Sequence, residues 1–385
     1  MSADRNEARN PQRFIHATVG GNARKKIQTM EQLINDIFEE LKDFRSDENN
    51  PSVQMTKNRI RQWINQFDEN DRIFILTELK SIFDKRYCTK QNAYDFLKGS
   101  LEALKQHYNY ASVQDFLSDS VFLDLQRPNK SQPTLLKLLK VVLNKQFNFN
   151  FSSCGSKQKK NYIYLDDVLC TGNTLFQDIR TWVNQNDTDG QTYLSKLQSG
   201  NIKLVFLYLF IHETNYHKKR AQFRHQISQS FENYFTMFRA IEIPNGIGTK
   251  LEVIMPTEEN QPDIVEQYKN QVIEKVDTYC EQKNISKPTA EFYRPTNTPV
   301  TEEFFTSAQN RKRFEDIMLH RGIRILNSAN TNIPNLRALG YSLPSLKNFG
   351  FGTLAMTWRN IPNNCPIVFW YSGGGFFPLF VKNQT

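Results

Sequence analysis

Tyr162–Thr174 reads YIYLDDVLCTGNT: strand formers, two adjacent carboxylates, three spacers, then Thr-Gly-Asn-Thr. A short apolar run bounded by turn residues reads as a buried parallel strand. Open parallel sheets bind ligands beyond the carboxyl ends of their strands. Asp166 and Asp167 are therefore expected at that edge, where carboxylates accept hydrogen bonds from ribose hydroxyls or hold a hydrated Mg2+. The next turn needs a glycine and small hydroxyl residues, because backbone N–H groups and a helix N-terminus must close on a phosphate without obstruction. Thr171, Gly172, Asn173 and Thr174 supply these. An ordinary strand–turn–helix with two exposed acids would read the same way.

Working outward, VFLDL (Val121–Leu125) is a second short strand, broken by Gln126-Arg127-Pro128-Asn129-Lys130 before a helical pattern at Leu135, Leu136, Leu138, Leu139 and Val142. IKLVFLYLFI (Ile202–Ile211) is a third strand, and Leu251–Met255 a fourth, following a helical stretch around Phe231–Phe238. Apolar strands alternating with helices predict an α/β fold with a mainly parallel sheet over 113–285. Upstream, residues 1–26 lack periodicity and read as a mobile arm. Residues 27–112 carry helical faces such as Leu33, Ile34, Ile37 and Leu41, and read as a four-helix bundle; no turn-plus-hairpin follows to suggest a winged-helix DNA reader. Downstream, a helix over Asp263–Lys283 leads to Pro288, Pro295 and Pro299. Residues 286–385 form an irregular α+β region, with a helix at Thr301–His320 and then short strands and loops.

The 385 residues carry 49 Lys and Arg against 40 acidic residues, a net charge of +9, which favours phosphate-bearing partners. With 39% hydrophobic and 12% aromatic residues, wholesale disorder is excluded. Five scattered cysteines without a CxxC pair fit reduced thiols, and no apolar run suits a membrane span or a secretory signal, so a cytoplasmic protein is expected. After Asp316 no acidic residue remains, while Arg321, Arg324, Arg337, Lys347, Arg359 and Lys382 do. Arg337, Arg359, Asn364 and Trp370 could contact a stacked base or a polyanionic partner; an aromatic core with satisfied amides fits equally. His212, His217 and His225 match no compact metal spacing and lie among Lys218, Lys219, Arg220 and Arg224. That segment reads either as a phosphate-contacting stretch or as a solvated helix face.

The run at Tyr162–Thr174 resembles the phosphoribosyl-diphosphate motif of type I phosphoribosyltransferases. The resemblance implies that Thr171–Thr174 cradle the 5-phosphate and that Asp166 and Asp167 contact the 2- and 3-hydroxyls, bind Mg2+ and serve catalysis. It also implies a diphosphate loop after the strand that comes first along the chain, Val121–Leu125, here Asn129, Lys130 and Ser131, and a closing loop, for which Phe149–Lys160 is the candidate. RIRQWINQF (Arg59–Phe67), PNKSQPTLL (Pro128–Leu136), Leu339–Trp370 and FFPLF (Phe376–Phe380) resemble a subgroup of phosphoribosyltransferase-like proteins from bacterial conflict and antiphage loci, including some retrons. Gly373–Gly375, and Val381-Lys382 where Pro-Arg is usual, depart from it. The subgroup implies an effector acting on a phosphoribosyl or nucleotide ligand at its anomeric carbon. Its partners would be a reverse transcriptase with its small DNA–RNA product, or another protein of the locus. A non-catalytic nucleotide sensor docking on nucleic acid or protein remains the alternative.

Overall fold

Strand formers on either side of the central motif assemble into one parallel sheet in a computed structural model that describes residues 28–128, 130–331 and 333–382. The expected arm at 1–26 and Asn129 lie outside the described residues. In chain order the helices and strands are α1 (Met30–Leu41), α2 (Lys57–Ile64), α3 (Glu69–Arg86), β1 (Tyr87–Cys88), α4 (Lys90–His107), α5 (Val113–Ser118), β2 (Ser120–Leu123), α6 (Ser131–Phe147), β3 (Asn161–Leu169), α7 (Asn173–Val183), α8 (Tyr193–Gln198), β4 (Lys203–His212), α9 (Glu213–Gln226), β5 (Phe235–Ile243), α10 (Asp263–Lys283), α11 (Ala308–Ala329) and β6 (Met356–Thr357). They form two units: Lys90–Ile243, and a second that combines 28–89 with 244–382.

In the first unit the strand order is β2-β3-β4-β5, all parallel. Tyr162, Tyr164, Leu204, Phe206 and Tyr208 share one face with Phe176, Ile179 and Trp182 of α7 and with Phe223 of α9. Alternation sends Ile163 and Leu165 to the other face. Helix α6, none of whose buried leucines joins that cluster, lies against β3 with α4 packed on it. Burial on both faces explains the near-continuous apolar strands.

Register creates the opening that matters. Strand β2 pairs with β3 only from Ser120↔Asn161 to Leu123↔Tyr164, whereas β3 follows β4 as far as Leu169↔Ile211. Asp166 and Asp167 therefore lie inside β3, not beyond its end as the sequence suggested, but past the end of β2. There the buried Gln132 replaces strand pairing: its Oε1 accepts from the N–H groups of Leu125 (2.7 Å) and Gln126 (3.1 Å), and its Nε2 donates to the Leu165 carbonyl (3.2 Å). Gln132→Leu leaves these buried and half-buried groups without partners, at about 1–3 kcal/mol per group, so urea denaturation should show roughly 3 kcal/mol lost. A loss under ~0.5 kcal/mol would make the bridge dispensable.

Two strand expectations are corrected. The segment from Phe235 is strand β5, not helix: Phe231, Phe235 and Phe238 have helical spacing, but pairing of Leu204 with Phe235 onward decides. Leu251–Met255 joins no strand. Its backbone is met by other groups: Arg311 donates to the Leu251 and Val253 carbonyls, Ile254 N–H reaches the Gly352 carbonyl, and Met255 N–H reaches Glu315.

The second unit corrects the expected division into a helical bundle and a separate C-terminal region. Leu33, Ile37 and Leu41 of α1, Trp63 of α2 and Phe83 of α3 share one core with α10, α11 and the aromatic C-terminal segments, while α4 belongs to the first unit. Trp63 Nε1 donates to the Val368 carbonyl (2.7 Å), and its ring stacks on Phe369 at 5.8 Å. Among the described residues the expected short C-terminal strands reduce to β6, paired with β1. Helix α11 begins at Ala308, not Thr301, because the Ser307 hydroxyl caps it while Glu302 receives the N–H groups of Phe304 and Phe305. It passes His320 because Ile323, Ile325 and Leu326 continue its buried face.

Candidate functional site

The loop after β2 and the start of α6 fold onto β3. Ser131 Oγ donates to Asp166 Oδ1 (2.5 Å), Gln126 Nε2 donates to Oδ2 (2.8 Å), and Asp167 N–H also reaches Oδ1 (2.9 Å). Asp167 Oδ1 accepts from Val168 N–H (2.7 Å). The Gln126 amide also donates to the Tyr164 hydroxyl (2.7 Å), which donates to Asp178 on α7 (2.7 Å). Both carboxylates of the pair are only 6% exposed. Burial first, and the neighbouring Asp167 second, push the Asp166 carboxyl up to about 7, against the pull of Ser131, Gln126 and the Asp167 N–H.

The turn that follows meets the requirements for an anion cradle. Gly172 has φ +67° and, as the residue before α7, supplies no side chain to cap it, so nothing at position 172 obstructs the helix's N-terminal amides and partial positive charge. Thr171 Oγ1 accepts from Asn173 N–H (3.3 Å), within the turn. From α9, the stem of Lys219 crosses over Gly172: a Cβ there would stand 2.5 Å from Lys219 Cγ. Lys219 Nζ donates to Gln222 (2.7 Å), and among the described residues no carboxylate pairs with it; burial lowers the pKa of its ammonium.

With acid pair, turn and cation in view, the comparison with known proteins is decisive: the family described as PRTase-CE matches residues 60–382. The chain belongs to the PRTase-CE family. Membership makes it a phosphoribosyltransferase-like protein. The match runs from α2 to the last described residue, so the PRTase-CE span includes segments of both units. No curated protein and no solved structure matches the chain.

In this PRTase-CE chain the expected diphosphate residues separate. Ser131 reaches Asp166, Lys130 is exposed with its backbone N–H on the Arg127 carbonyl (3.0 Å), and Asn129 is not described. The candidate closing loop, Phe149–Lys160, is tied down: Gly155 N–H bonds to the Leu117 carbonyl, Lys157 N–H to Ser118, and Lys157 Nζ to Asp115. Among the described residues no group of three or more His, Cys, Asp or Glu could hold a metal, and no helix is long and apolar enough to cross a membrane.

Sequence reasoning passed over Gln126, Gln132, Asp178 and Asn215, and treated Lys219 only as one of a basic run. Asn215 is the most consequential of these: its Nδ2 donates to the Cys170 carbonyl (2.7 Å) and lies 3.5 Å from His212 Nδ1. It braces the turn from the first turn of α9, just past the carboxyl end of β4, and that nearby strand end is the signal that could have found it. Asn215→Ala should leave overall stability within ~1–2 kcal/mol while hydrogen exchange at Thr171–Thr174 accelerates. Unchanged exchange there would remove the bracing role.

The C-terminal candidates sit in the second unit. Arg359 pairs with Glu48 (2.8 Å) and Asp47 (3.4 Å). Asn364 donates to the Tyr341 carbonyl (2.9 Å), and Trp370 stacks on Tyr341 at 5.8 Å while its Nε1 donates to the Cys365 carbonyl (2.7 Å). Arg337 is buried, which corrects its reading as a contact for a macromolecular partner. The acid-free tail thus receives carboxylates from the N-terminal segment, which a count along the sequence does not reveal.

Proposed function

We propose that the protein binds a 5-phosphoribosyl compound or nucleotide and acts at its anomeric carbon. The observation carrying this is the hydrogen bonding of Ser131 and Gln126 to Asp166, beside a glycine turn that opens α7. The Thr171–Thr174 turn would receive the 5-phosphate, and the Asp166–Asp167 pair the ribose hydroxyls. Breaking a bond at that carbon passes through an oxocarbenium-like state, which fixed carboxylates stabilise electrostatically.

Mg2+ suits this donor set, because it takes one or two carboxylates together with substrate oxygens and needs no closed protein cage. Two adjacent buried carboxylates whose mutual repulsion raises a pKa would also be relieved by a cation. Asp166 and Asp167 would hold it, and its chemistry would be to neutralise a departing diphosphate. Resemblance of the flanking segments supports the wider proposal of an effector in a bacterial antiphage locus, with a retron reverse transcriptase and its DNA–RNA product, or another protein of the locus, as partners.

Mass spectrometry of the purified protein incubated with Mg2+, phosphoribosyl donors and nucleotides tests the reading. Released diphosphate or base is expected. Binding without turnover would favour the sensor alternative, and neither binding nor turnover would remove both.

A further inference from the structure

Five arginines are buried among the described residues: Arg45, Arg86, Arg294, Arg311 and Arg337. Four lie against carboxylates, Arg45 on Glu48, Arg86 on Glu252, Arg294 on Glu315, and Arg311 on Glu302 and Glu315. Arg337 has none. It is 2% exposed, and its Nη1 donates to the carbonyls of Pro334 (2.6 Å) and Leu336 (3.1 Å). Among the described residues its Nε and Nη2 are buried without an acceptor. These two atoms form the side edge of the guanidinium, the same edge with which Arg61 holds both carboxylate oxygens of Glu31 (3.1 and 2.7 Å).

Among the described residues no carboxylate pairs with Arg337. The titratable group that acts on Arg337 is Tyr268, whose hydroxyl accepts from Ala338 N–H (3.2 Å) and whose pKa burial pushes up to about 12, so it stays neutral. A guanidinium does not escape by losing its proton. A buried, uncompensated charge with unmet donors is strongly disfavoured, and such groups call for a bound ion, a ligand or water.

The loop that carries Arg337 holds a second unmet group. Ser342 is 4% exposed and its Oγ is buried without a partner. Ser342 N–H on the Asn335 carbonyl (2.9 Å) and Gly340 N–H on the Arg337 carbonyl (3.0 Å) close the loop on itself. At Gly340, φ is +100° and a Cβ would collide with the Asn364 carbonyl, so the loop is pressed against its neighbour. We propose that the 334–342 loop encloses a phosphate-class oxyanion, inorganic phosphate or a phosphomonoester, held by the Nε–Nη2 edge of Arg337 and the Ser342 hydroxyl. A guanidinium edge engages two oxygens of such an anion, and a tetrahedral group has a third for the hydroxyl.

Equilibrium dialysis of the full chain against radiolabelled inorganic phosphate tests this. It uses a Gly172→Val background, in which the space for phosphate at the Thr171–Thr174 turn is filled, so that the sugar-phosphate site does not contribute to the count. About one labelled phosphate per chain is expected, none with Arg337→Met added, and at least tenfold weaker retention with Ser342→Ala. Circular dichroism melts accompany each variant; Arg337→Met should fold, since it removes an unpaired charge. If it does not, Ser342→Ala decides. Displacement of label by a nucleoside 5′-monophosphate identifies a phosphomonoester site, and displacement only by unlabelled phosphate identifies an ion site. No retention in the background protein, equal retention in a folded Arg337→Met or Ser342→Ala chain, or displacement by acetate at equal concentration would overturn the proposal.

Discussion

Asp166→Asn combined with Asp167→Asn is expected to weaken binding of ribose 5-phosphate and its diphosphate on the order of 100-fold or more, since hydrogen bonds to charged groups contribute roughly 1.5–3 kcal/mol each. Activity in cells should be lost. The fold should not suffer. The carboxyl of Asp166 ordinarily titrates near 3.8 and in the folded chain is pushed up to about 7. A raised acid disfavours the folded state progressively as pH climbs from about 4 through about 7, and fully above that. Asparagine removes the charge, so at pH 8 the double variant should melt at or above the wild-type temperature. The same comparison at pH 4, where Asp166 of the folded wild type is protonated and uncharged, should show a smaller difference. Calorimetric titration beside differential scanning calorimetry separates the two effects. Retained binding by the folded double variant would sink the assignment of this pair.

Gly172→Val should be as damaging, by another route. A φ of +67° is the left-handed region, and a β-branched residue held there costs on the order of 1–3 kcal/mol. The new Cβ would press on Lys219 Cγ, and the branches would fill the turn intended for phosphate. The lysine stem is flexible, so adding Lys219→Ala should recover part of the stability. It should not recover binding, because the backbone geometry and the lost space remain. Ribose 5-phosphate calorimetry on the single and double variants reads this directly. Equal affinity in wild type and Gly172→Val would place the phosphate cradle elsewhere.

What the sequence made legible follows from range. The strands at Tyr162 and Ile202 and the turn at Thr171–Thr174 rest on local pattern, and local pattern located them. Strand β5 was hidden because Phe231, Phe235 and Phe238 have helical spacing, and only the neighbour across the sheet decides otherwise. Gln126, Gln132 and Asn215 were hidden for a related reason. An amide is read as polar surface until one knows which backbone group stops finding a partner, and that depends on where β2 ends relative to β3. The pairing of Arg359 with Asp47 and Glu48 spans more than 300 residues and leaves no local trace.

The bond from Trp63 to Val368 bears on the order in which the chain acquires structure during synthesis. Residues 90–243 are contiguous and can close their sheet while the ribosome is still working. The segment 28–89 emerges earlier, and its helices α2 and α3 pack on α1, yet the rest of their core partners lie beyond residue 243 and as late as Phe380. Full burial of its Trp63 and Phe44 must wait until residues 368–380 have been made, so a segment synthesised before 90–243 completes its core after it. Protease challenge of ribosome-bound chains arrested near residue 300 should cut within 28–89 and spare 90–243. Resistance of 28–89 at that length would show that the helices find shelter before their aromatic partners are made.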